Sequence, residues 1–66
     1  MNPYPVDLSA TALDNTRALF RARATTAFQA NRLLEELRLW SKCESRSLNV
    51  TLVYATGEVS LRRIWN

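Results

Sequence analysis

Cys43 is the one thiol of the 66-residue chain, and it stands between Lys42 and Glu44, whose charges oppose each other. A thiol becomes a nucleophile when a base or a positive field stabilises its thiolate. The chain has no histidine, so the commonest catalytic base is missing. Glu35 and Glu36 are adjacent carboxylates. On a helix they point about 100° apart and cannot face one substrate as an acid–base pair. One thiol without histidine cannot close a tetrahedral zinc site, and the scattered acids suggest no all-oxygen site. The single glycine, Gly57, excludes phosphate-loop and dinucleotide fingerprints. The expectation is a protein that is not an enzyme, with no catalytic residue, no metal and no cofactor.

What remains is binding chemistry. Of nine basic residues, eight are arginine, and the formal charge is +3. Guanidinium offers a planar fork to phosphate or carboxylate, although a GC-rich coding sequence also favours arginine. Arg17 and Arg21 stand one helical turn apart, and Arg32 returns to nearly the same angle further on. Arg62 and Arg63 are neighbours in a β-like stretch and point to opposite faces. Trp65 follows them, and exposed Trp beside Arg is hot-spot chemistry at protein interfaces. Arg17, Arg21, Arg32, Arg62, Arg63 and Trp65 are therefore the candidate partner-binding residues. Arg23 projects towards the apolar side, where it can snorkel or pair with an acid across a dimer.

These residues must be positioned by a small domain. Such a chain buries only about 60% of its unfolded surface, and domains of this size often lean on a disulfide, a metal or a partner subunit. Residues 1–7 contain Pro3 and Pro5 and read as an extended arm. They lack the basic region and apolar core of a signal peptide. Residues 8–43 hold no proline and no glycine and are rich in Ala, Leu, Arg and Glu, which favours helix. Leu13, Phe20, Ala27 and Leu34 recur every seven residues, with Leu19, Leu33 and Trp40 beside them and Leu37 on the same face. A seam that keeps phase over about four heptads argues for one long helix. Asp14 with Arg17, and Arg32 with Glu36, can pair across one turn. A bend or break has one candidate, Thr25 to Gln29, where Thr26 and Gln29 have capping-box spacing; a helical hairpin is the alternative.

Residues 47–65 read as a two-stranded antiparallel β-hairpin about Thr56-Gly57. A two-residue loop pairs Tyr54 with Val59, Leu52 with Leu61, Val50 with Arg63 and Leu48 with Trp65. That register collects the large apolar residues on one face. A hairpin alone is marginal, so it must lie on the helix, take a third strand, or both; that strand could come from the arm (where Val6 and Leu8 flank Asp7), from a second copy or from a partner.

The fold class expected is α+β: one domain over 1–66, with an N-terminal arm, one long helix that is bent or broken if at all near Thr25, and a C-terminal hairpin. About 34 helical residues span roughly 50 Å, against a diameter of roughly 28 Å for a compact domain of this length. The excess calls for a homodimer, with Leu13, Leu19, Phe20, Ala27, Leu33, Leu34, Leu37 and Trp40 as its dimer or core seam. The expected partner is a larger protein or ribonucleoprotein complex, occupied sterically by an inhibitor or regulator. Nucleic acid, held by the arginine-bearing helix face, is the alternative partner, and a structural subunit of a larger assembly is the third reading. No apolar run reaches the roughly 20 residues of a membrane span, and one cysteine suits a reducing compartment, so a cytoplasmic protein is expected. In size and architecture the chain resembles the small proteins that phages and mobile elements use to block host machinery, anti-CRISPR proteins among them. That likeness carries over no site residue.

Overall fold

In a computed structural model of the chain, residues 2–14 and 17–65 are described. Met1 of the expected arm, and Asn15 and Thr16 of the expected helical span, lie outside them. The elements are β1 (Val6–Ala12), β2 (Ala18–Ala24), α1 (Ala27–Glu44), β3 (Leu48–Tyr54) and β4 (Val59–Ile64). They form a four-stranded antiparallel sheet in the order β2-β1-β3-β4, with one helix. The α+β class stands. The two-stranded hairpin and the helix over 8–43 are both overturned, because 8–24 supplies strands and only 27–44 is helical.

The physical reason lies in a period of two. Along β1, Val6, Leu8, Ala10 and Ala12 are buried, while Asp7 is exposed and Ser9 and Thr11 are half-buried. Along β2, Phe20, Ala22 and Ala24 face inwards and Arg21 and Arg23 face out. Strict alternation makes a half-buried strand, whatever alanine prefers in isolation. A bulge between Ala10 and Thr11 sets Leu19 out of register, leaving it 40% exposed. Only Val6 and Asp7 of β1 belong to the expected arm, and Leu8 to Ala12 come from the expected helix; β1 is an inner strand, pairing with β2 on one side and β3 on the other.

The break near Thr25 is the start of the helix. Thr26 is the N-cap, and its hydroxyl accepts the Gln29 N–H at 3.1 Å. Gln29 Oε1 returns to accept from the backbone N–H of Thr25 at 2.8 Å and from its hydroxyl at 2.7 Å. That is a capping box displaced by one residue, and it satisfies backbone donors with no helical partner. At the far end Ser45 adopts the left-handed conformation, φ 53°, and Arg46 N–H closes back on the Ser41 carbonyl at 3.1 Å.

One face of α1 lies on the sheet. Ala30, Leu34 and Leu37 join Val6, Leu8, Ala10, Ala24, Leu48, Val50 and Leu52 in one core. Phe20, Leu33 and Trp40 pack at its margin. Ala10, Ala22 and Ala24 under the helix leave room for its leucines. The seam therefore meets the chain's own sheet. An 18-residue helix is roughly 27 Å long, and it fits within a molecule measuring 37 × 22 × 15 Å. The length argument for a second chain lapses with the shorter helix.

The β3–β4 register also differs from the expected one. Val53 pairs with Val59, Thr51 with Leu61, Val50 with Arg62 and Leu48 with Ile64. The turn is responsible. Gly57 N–H donates to the Tyr54 carbonyl at 2.9 Å, Tyr54 N–H donates to the Glu58 carbonyl at 2.9 Å, and Gly57 has φ 92°. This is a type I turn closed by a left-handed glycine, with Ala55, Thr56 and Gly57 in the loop. A three-residue loop in place of two slips the pairing by one residue, and the slip turns every β4 side chain over. Val59 and Leu61 leave the core side; Ser60, Arg62 and Ile64 take it.

Candidate interaction surface

The helix covers one side of the sheet, and the other is open. Its side chains stand in rows across the strands. One row runs Arg23, Asp7, Val53, Val59; the next Arg21, Ser9, Thr51, Leu61; the next Ala18, Thr11, Asn49, Arg63. In the first two rows β2 contributes an arginine and β4 an aliphatic residue; the third runs from Ala18 on β2 to Arg63 on β4.

The basic side is partly neutralised. Arg23 Nε donates to Asp7 Oδ1 at 2.9 Å, and this hydrogen bond, followed by the carboxylate charge, raises the Arg23 pKa above its usual value. On the aliphatic side Val53 is 40% exposed, Val59 59% and Leu61 77%. Arg63 borders them: its Nε donates to Asn49 Oδ1 at 3.0 Å, and its guanidinium lies 5.1 Å from the Trp65 ring centre. Trp65 is exposed. Among the described residues no strand lies beyond β4, so its outer backbone groups form an open edge.

The candidate residues are dispersed. Arg21 and Arg63 are on the open face, with Trp65 just past the end of β4. Arg32 is on the outer side of α1, facing away from the sheet, and Arg17 precedes β2 in the loop. The single arginine face built from Arg17, Arg21 and Arg32 does not exist, because it required them to share one helix. Arg62 turns to the helix side. There it lines a groove of about 520 Å³ between α1 and β4 with Leu34, Glu35, Arg38, Lys42, Arg63, Ile64 and Trp65. Arg38 in this groove donates to Glu35 at 3.2 Å.

Of the seam residues, Leu34 and Leu37 are buried in the core and Phe20, Leu33 and Trp40 half-buried. Leu13 and Leu19 are about two-fifths exposed, and Ala27 opens the helix at the surface. Asp14 pairs with Arg46 at 3.2 Å, and Arg46 also lies 5.8 Å from the Trp40 ring centre. Sequence reasoning set Val53 opposite the apolar face, with Asn49 and Thr51, but missed Val59 and Leu61 as surface residues and Arg38 and Lys42 as groove residues. The Ala55-Thr56-Gly57 loop is the signal that finds the first group, since a glycine in third position marks the longer turn.

Cys43 is an exposed free thiol. Among the described residues no group of three His, Cys, Asp or Glu side chains is placed to hold a metal. An apolar cleft of about 290 Å³ between β2 and α1 is lined by Ala10, Leu19, Phe20, Leu37, Trp40 and Leu48, with Glu36 its one charged group. Among the described residues no helix is long and apolar enough to cross a membrane. No family model matches the chain, and neither does any curated protein or solved structure.

Proposed function

We propose that this chain is a small non-enzymatic binding protein that docks on a larger protein, alone or within a ribonucleoprotein complex. It works by steric occupation, as an inhibitor or regulator. One observation carries the reading: Val53, Val59 and Leu61 stand together in solvent, beside the open edge of β4. Large aliphatic side chains on a strand next to unpaired backbone groups form a surface that a partner can extend and desolvate. Arg63 and Trp65 form its rim, and interfaces commonly surround an apolar centre with such residues.

A second reading, nucleic-acid binding, is favoured by the groove between α1 and β4 that Arg38, Lys42 and Arg62 line, with Glu35 as the one acid. The open face itself argues against base stacking, since none of the residues in its rows is aromatic.

Affinity capture separates the two, using the full chain and lysate of the source cells with nuclease and a salt series. A discrete protein that stays bound after nuclease and at high salt is expected. Nucleic acid that is retained at low salt and released steeply, with a slope near −0.9 per phosphate contact on duplex DNA, would favour the groove instead.

A further inference from the structure

The outer side of α1 is a second exposed apolar surface, on the opposite side of the molecule from the open sheet face. Phe28 is 71% exposed and Leu39 63%. Between them on the same stripe lie Arg32 and Glu35, with Asn31 and Glu36 on its two flanks, and together these residues line one shallow groove. Among the described residues Arg32 and Glu36 form no ion pair, with each other or elsewhere; Glu35 is held by Arg38 at 3.2 Å.

The stripe is symmetric about the midpoint between Leu33 and Leu34. Phe28 and Leu39 are equidistant from it, as are Arg32 and Glu35. Each matched pair is complementary: apolar with apolar, cation with anion. A helix face with this property is complementary to its own copy turned end for end. In a parallel arrangement Arg32 meets Arg32 and Glu35 meets Glu35, so charge selects the antiparallel one.

We propose that two copies of the chain pair antiparallel through α1, about a two-fold axis over Leu33 and Leu34. Phe28 packs on the partner's Leu39, and Arg32 meets the partner's Glu35, while Asn31 and Glu36 stay on opposite flanks of the contact. Each contact occurs twice, as in any isologous interface. Glu35 is then shared between its own Arg38 and the partner's Arg32. Because the sheet lies behind each helix, the dimer is layered sheet, helix, helix, sheet, and both open faces point outwards. This pairing is independent of the docking reading above, which uses the other side of the molecule.

A contact of about three turns per helix lies near the lower size limit of specific interfaces, so a dissociation constant on the order of 10–100 μM is expected. The test is sedimentation equilibrium of the full chain from roughly 10 μM to about 1 mM. A reversible monomer–dimer equilibrium is expected. Arg32→Glu and Glu35→Arg should each weaken it by about tenfold or more, and the double reversal should restore it to within about threefold, because the complementary pairs are rebuilt with signs exchanged. Leu39→Lys, at a position exposed in the single chain, provides a variant that leaves the core intact and should abolish pairing. A monomer across the whole range would overturn the proposal. So would a dimer insensitive to Leu39→Lys or to both single reversals, or a double reversal weaker than either single one.

Discussion

Replacing Leu8 with alanine is expected to abolish cooperative folding or leave it barely measurable. Leu8 is 1% exposed at the middle of the central strand, with Ala22 opposite on β2 and Leu52 on β3. Truncating a fully buried leucine costs about 2–5 kcal/mol, the larger values where neighbours cannot close the cavity. Here the β2 neighbour is alanine and cannot reach across. A domain of this length has about 3–10 kcal/mol of stability in all. Leu19→Ala is the matched control. Leu19 sits on the bulge, 40% exposed, and should cost about 1 kcal/mol or less. Urea titrations followed by circular dichroism read both. The contrast is diagnostic, because a long helix with a heptad seam puts Leu19 at the interface and Leu8 in a fraying first turn. Equal losses, or a greater loss at Leu19, would contradict the four-stranded sheet.

The second large effect falls on binding and spares folding. The double variant Val59→Thr, Leu61→Lys keeps strand-compatible residues on the open face and touches none of the core. Surface changes of this kind shift stability within about ±0.5 kcal/mol each. At the centre of an interface the same changes remove aliphatic contact and bury an unpaired ammonium. A loss of 2 kcal/mol or more, about thirtyfold in affinity, is the expected size for such central positions. The captured protein should disappear while the thermal midpoint moves by only a few degrees. Undiminished capture by a folded double variant would remove the open face as the docking surface.

Part of this was legible in the residues, and the failures have definite causes. The helix start was readable because Thr26 and Gln29 carry their own local chemistry. The third strand was readable in Val6-Asp7-Leu8. The alternation continues through Ser9-Ala10-Thr11-Ala12 and reappears in Phe20-Arg21-Ala22-Arg23-Ala24. It was masked by alanine, which favours helix in isolation but serves here as a small residue beneath α1. The heptad spacing of Leu13, Phe20, Ala27 and Leu34 is a coincidence across the residue after β1, one strand and a helix. The binding face was hidden by a single residue of loop length. Both registers alternate equally well along β4, but a two-residue loop asks a positive φ of the β-branched Thr56, whereas the three-residue loop asks it of Gly57 alone. Maximising burial selected the wrong one, since Val59 and Leu61 are large, apolar and exposed.

That register is the point on which the binding surface depends, and proton NMR reads it directly. Hydrogen-bonded and non-hydrogen-bonded pairs alternate along an antiparallel ladder, and the close Hα–Hα contacts belong to the latter. With Tyr54 bonded to Glu58, the close pairs are Val53 with Val59, Thr51 with Leu61 and Asn49 with Arg63. Strong Hα–Hα cross peaks between these residues are the result expected. Cross peaks joining Leu52 to Leu61 and Tyr54 to Val59 would return both aliphatic side chains to the core side and leave the open face without its apolar centre.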